Sequence, residues 1–89
     1  MARKRKLLDK LLSGSKNIRF GDFVTLIEAC GFRLQRVQGS HHIYRHPLLP
    51  RPFPIQEVKG QAKPYQVRQF LDLMEKYNLH LADDEGTED

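Results

Sequence analysis

Leucine spacing sets the first rhythm of the chain. Leu7, Leu8, Leu11 and Leu12 fall on one stripe and predict a short helix from about Arg3 to Leu12, ended by Ser13-Gly14-Ser15. A second helix is expected from about Phe20 to Cys30. Phe23, Leu26, Ile27 and Cys30 recur there at i, i+3, i+4 and i+7, so one face is buried. Asp22 lies in its first turn, where it favours the helix dipole, and Gly31 follows the last apolar position, ready for a left-handed cap. The period then changes. Phe32 to Gln38 alternates loosely, with Phe32 and Leu34 on one side and Arg33 and Gln35 on the other. Gly39-Ser40 is a turn signal and His41 to His46 reads as a second strand, so the two strands form a hairpin. The prolines of 47–52 make a loop. Phe53 to Val58 is a third strand, short and at a sheet edge because Pro54 cannot donate to a ladder, and Lys59-Gly60-Gln61 is the next turn. A last helix starts at Pro64, which suits the first helical position. It carries Val67, Phe70, Leu71, Met74 and Tyr77 on one stripe and ends at Asn78.

A short N-terminal helix followed by α-β-β-β-α predicts an α+β fold, with two helices packed on one face of a three-stranded antiparallel sheet. Eighty-nine residues allow one domain. We place it at 16–79, between a basic extension with its short helix at 1–15 and an acidic, disordered tail at 80–89.

Charge changes this picture. Fifteen Lys and Arg against eleven Asp and Glu give a net charge of +4, and the distribution is uneven. Seven basic side chains and one acidic one lie in 1–19, whereas 80–89 holds five acidic side chains and neither Lys nor Arg. That density suits a polyanionic partner, nucleic acid being the usual one; a basic face kept for solubility is the plainer alternative. A single cysteine, Cys30, excludes an intramolecular disulfide and a Cys-rich zinc site. No apolar run approaches the ~20 residues of a membrane helix. The basic start is not followed by the apolar stretch of a signal peptide, so a cytoplasmic location is expected.

The candidate chemistry lies in Gly39-Ser40-His41-His42-Ile43-Tyr44-Arg45-His46-Pro47, with three histidines on one predicted strand. Alternation sends His42, Tyr44 and His46 one way and His41, Ile43 and Arg45 the other. With bulky Tyr44 toward the helices, His41 and Arg45 occupy the open face of the sheet. A neutral imidazole there can act as a base. The 2′-hydroxyl of RNA sits beside its own phosphodiester, and a base that removes its proton lets that oxygen attack phosphorus without a metal. Arg45, Lys59 and Lys63 are candidates to hold phosphates. Against this, a strand histidine is more often a packing or hydrogen-bonding residue. A zinc site on His42 and His46 lacks third and fourth ligands. No P-loop or dinucleotide fingerprint is present, and no cofactor is expected.

The ordered set Cys30-Gly31-Phe32, Gly39-Ser40-His41-His42-Ile43-Tyr44-Arg45-His46-Pro47 and Ala62-Lys63-Pro64-Tyr65-Gln66-Val67-Arg68 resembles the HicA family of type II toxins over roughly residues 20–79. The resemblance implies a double-stranded-RNA-binding-domain-like fold and a metal-independent ribonuclease that cleaves mRNA. It implies one catalytic histidine in the Gly-Ser-His segment, His41 as first choice and His42 as second, with Gly39 and Ser40 shaping the turn that presents it. It also implies a HicB-type antitoxin that covers the site. The proline-rich 47–54 stretch and Gln56-Glu57 depart from the pattern and put substrate contacts from the third strand in question. A non-catalytic RNA-binding module of the same fold is the competing function.

Overall fold

The computed structural model describes residues 3–14 and 16–81. The first helix, α1 (Arg3–Leu12), runs where its leucine stripe places it. Leu8 and Leu11 are buried and Leu7 is half-buried, while Leu12 faces solvent. The second helix, α2 (Phe20–Ala29), buries Phe20, Phe23, Leu26, Ile27 and Ala29. It ends one residue earlier than its apolar spacing suggests, because Cys30 is already the C-cap and Gly31 takes the left-handed turn at φ 102°.

The sheet contains β1 (Arg33–Gln38), β2 (His41–Arg45), β3 (Phe53–Val58) and β4 (Gln61–Ala62), all antiparallel and in that spatial order. Four strands replace the expected three. Gln61 leaves the turn and pairs with Val58, and Ala62 pairs with Glu57. The remaining turn, Lys59-Gly60, has positive φ at both residues (52° and 78°), the pattern of a type I′ hairpin. On its far side β4 is covered by the approach to α2: Ala62 N–H donates to the Ile18 carbonyl and Phe20 N–H to the Gly60 carbonyl, each at 2.9 Å. β3 is therefore not an outer strand, as Pro54 had suggested. The proline is tolerated because β4 pairs only with Glu57 and Val58 and leaves the edge at Pro54 uncovered.

That uncovered edge is closed by a side chain. Gln66, in the first turns of α3 (Pro64–Tyr77), accepts the Gln56 backbone N–H at 2.8 Å and donates to the Pro54 carbonyl at 3.2 Å. It is the one buried polar residue among those described. Burying its amide is tolerable because both ends are bonded. α3 then ends as its sequence predicts, with Asn78 left-handed at φ 56° and the Leu79 N–H reaching back to the Met74 carbonyl.

The strand residues buried most deeply, Tyr44, Phe53, Ile55 and Ala62, share one face of the sheet and meet Phe23, Leu26 and Ile27 of α2 and Val67 and Phe70 of α3. Phe23 and Phe70 pack edge to face at 5.6 Å between centroids, and Phe32 touches both Phe53 and Phe70. Among the described residues no helix lies on the opposite face of the sheet, and every residue of β1 is exposed. The order α2-β1-β2-β3-α3 is that of a double-stranded-RNA-binding-domain-like fold, with α1 and the short β4 added. Of the tail expected to be disordered at 80–89, residues 82–89 lie outside the described residues and Leu81 is buried, as is Leu79 before it.

Candidate active site

The site begins with a tight turn. Gly39 has φ 60° and Ser40 does not have positive φ, which fits a two-residue type II′ hairpin with glycine first. The turn places Gly39, Ser40 and His41, the first residue of β2, at one end of the sheet, all exposed. β3 runs antiparallel to β2, so the Lys59-Gly60 turn lies at that same end. His41 pairs with Gln38 across one edge and Gln56 across the other. The Glu57 N–H donates to the Ser40 carbonyl, which marks His41 and Gln56 as a non-hydrogen-bonded pair, the kind in which opposed side chains lie closest, at about 4.5 Å between Cα atoms. Gln56 Nε2 donates to Ser40 Oγ at 3.2 Å. The His41 ring bonds to no described residue.

The other histidines have different surroundings. His42 points to the helix side, half-buried, with its ring 4.8 Å from that of Phe20 and its Nδ1 buried with no hydrogen-bond partner among the described residues. His46, beyond the far end of β2, is fixed by the backbone. Its Nε2 donates to the Cys30 carbonyl at 3.0 Å, and its Nδ1 accepts the Leu48 N–H at 3.0 Å. Those two partners require the neutral ring with the proton on Nε2. The ring also packs 4.9 Å from Phe32 and roofs Gly31, where a Cβ would lie 3.0 Å from Nε2. His46 thus closes a carbonyl left open at the end of α2. The alternation read from the sequence is present: His42 and Tyr44 face the helices, and His41 and Arg45 face outward.

The structure gathers only part of the predicted RNA-binding set. Gly39, Ser40 and Lys59 share the end that carries His41. Arg45 lies at the other end of β2, about 13 Å along a strand of this length, beside Arg33. Arg36 pairs with Ile43 between them, so the open face bears a row of arginines rather than one cluster. Lys63 is the N-cap of α3, with its ammonium 5.7 Å from the centre of the exposed Tyr65 ring. Two residues missed by sequence reasoning are Gln56 and Gln66. A polar residue late in a strand and another early in a helix carry no signal until strand pairing brings them together.

Other titratable groups are withdrawn from solvent. Burial pushes the Cys30 thiol up to about 11, so at neutral pH it is a protonated, inert group. The Tyr44 hydroxyl is also raised, by burial first and by the nearby Glu28 carboxylate second. Among the described residues no three His, Cys, Asp or Glu side chains gather into a possible metal site. A cleft of about 620 Å³ opens between Pro50–Pro54 and the Tyr65, Gln69 and Leu73 flank of α3, but His41 is not on its walls. His41 stands instead on an open surface, accessible to a polymer. An exposed imidazole with no hydrogen-bond partner among the described residues, with Lys59 at the same end of the sheet, can exchange a proton with a bound polymer.

The profile of the family described as HicA toxin of bacterial toxin-antitoxin systems matches residues 20–75, from the start of α2 into the last turn of α3. No curated protein and no solved structure matches the chain. With more than half of its length matched, the chain belongs to the HicA toxin family of toxin-antitoxin systems. α1 lies outside the matched region.

Proposed function

We propose that this HicA-family chain is a metal-independent endoribonuclease that cleaves mRNA, with His41 as the general base. The observation that carries the reading is the exposed, unbonded His41 ring at the hairpin tip, directly after Ser40 in the chain. In this reading the ring removes the proton of a ribose 2′-hydroxyl. The oxygen attacks the adjacent phosphorus, a 2′,3′-cyclic phosphate forms, and the 5′ oxygen leaves and takes a proton from solvent. Ser40 donates to a non-bridging phosphate oxygen as charge develops there. Lys59 balances that charge, Gly39 lets the RNA backbone approach, and Arg45 and Lys63 hold phosphates farther along the strand. Residues 16–79 form the ribonuclease domain, acting in the cytoplasm, and a HicB-type antitoxin is the partner that covers it.

Wild-type protein, His41→Ala and His42→Ala, each incubated with RNA and with the same sequence as DNA in the presence of EDTA, test this. The expected result is cleavage of RNA only, cyclic phosphate ends, and loss of activity in His41→Ala but not in His42→Ala. RNA binding without cleavage by the wild type would make the chain a binding module instead.

A further inference from the structure

We propose that Gln56 is a positioning residue of this site, acting through Ser40, and that Gln66 holds it in place. The inference rests on the ribonuclease reading and deepens it. A serine hydroxyl has one proton, and it can point in several directions. Here Gln56 Nε2 donates to Ser40 Oγ at 3.2 Å, so the oxygen is occupied as an acceptor and its proton must point elsewhere. Ser40 sits on the exposed turn immediately before His41, so the partner left to that proton is solvent or a phosphate bound at this end of the sheet. A hydroxyl that accepts one hydrogen bond is also a better donor of the next.

The reach of Gln56 is set from below. The strand edge that carries its backbone N–H is not covered by β4 and is held at 2.8 Å by the buried Gln66 carboxamide. The second Gln66 bond, to the Pro54 carbonyl at 3.2 Å, fixes the same edge one pleat away. Gln56 faces His41 as a close cross-strand pair, so a displacement of this strand would move the hydroxyl donor relative to the base. The chain Gln66, Gln56, Ser40 therefore links the core to the donor that meets the substrate.

The test is the cleavage rate of Ser40→Ala, Gln56→Ala, Gln56→Glu and the Ser40→Ala/Gln56→Ala pair, with urea midpoints measured alongside. Ser40→Ala should lower kcat by about 100-fold, the effect of losing one donor to a developing oxyanion. Gln56→Ala should lower it by about tenfold, one hydrogen bond's worth, with KM little changed. Gln56→Glu has the same shape but can only accept, so it captures the Ser40 proton and should lose at least as much. The double variant should be no slower than Ser40→Ala alone. Full activity in Gln56→Glu, or a double variant slowed by the product of the single effects, would overturn the inference while leaving a His41-dependent ribonuclease intact. Wild-type protein unable to cleave RNA, or His41→Ala that cleaves normally, would overturn the underlying reading as well.

Discussion

His46, just past the end of β2, has both ring nitrogens bonded to backbone; His41, at the start of the same strand, has neither bonded to any described residue. At the lower end of the sheet a histidine serves the fold. α2 stops at Ala29, the Cys30 carbonyl lacks a helical partner, Gly31 leaves room, and the His46 ring fills that room while closing the carbonyl. The upper end makes no such demand. Its turn is closed by Gly39 and by backbone bonds, and the His41 side chain adds nothing to them. A histidine-rich segment is thus not one chemical unit. What separates His46 from His41 is whether backbone groups elsewhere in the fold depend on the ring.

Breaking each end should therefore give different losses. The largest effect is expected at the tip: His41→Ala lowers the cleavage rate by about 10²–10⁴-fold, the range of a lost general base, with an unchanged urea midpoint. At the other end His46→Ala removes two hydrogen bonds and the contact with Phe32, and should cost about 2 kcal/mol in urea unfolding while the folded fraction keeps its activity. Gly31→Ala attacks the same end from below. A Cβ at φ 102° and 3.0 Å from His46 Nε2 is strained twice, and a loss of about 1–2 kcal/mol is expected, again without a catalytic effect.

Between the ends, His42→Leu sharpens the comparison. It keeps an apolar contact with Phe20 and removes a buried nitrogen that has no partner among the described residues. Stability should stay within about 1 kcal/mol of wild type or rise, and cleavage should persist. The effect that vanishes at neutral pH is that of the buried Cys30 thiol. Burial raises Cys30 from 9.0 to about 11, so the unfolded chain releases this proton before the folded one does. Stability should be level below pH 9 and decline as pH rises from 9 through 11. The raised Tyr44 hydroxyl adds a decline of the same sign. Urea midpoints measured across that range check the slope, and thiol labelling at neutral pH should be slow until the chain unfolds.

Much of this was legible in residue order. The leucine stripe of α1, the Pro64 start and Asn78 end of α3, and the outward direction of His41 all follow from local spacing and cap chemistry, which depend on near neighbours. Tertiary pairing decided the rest. Two residues are too few to show a period, so β4 has no signal of its own and Gln61 reads as the end of a turn; its pairing comes from Lys59 accepting positive φ and from the Ile18–Phe20 segment covering its outer edge. The register shift between Leu34 and Arg36 puts Arg36 rather than Gln35 opposite Ile43, which alternation alone cannot show. The Gln56–Ser40 and Gln66–Gln56 bonds join residues 16 and 10 positions apart, and neither glutamine has a local reason to be where it is.

The central claim, that the unbonded histidine is the one that meets RNA, is tested most directly by NMR of the histidine ring protons during titration with an RNA whose 2′-hydroxyl at the cleavage site is replaced by hydrogen. That ligand binds and cannot be cut by this chemistry. The account predicts that the His41 ring signals move on binding while those of His42 and His46 stay near their free positions. An unmoved His41, or the largest shift at His42 or His46, would contradict it.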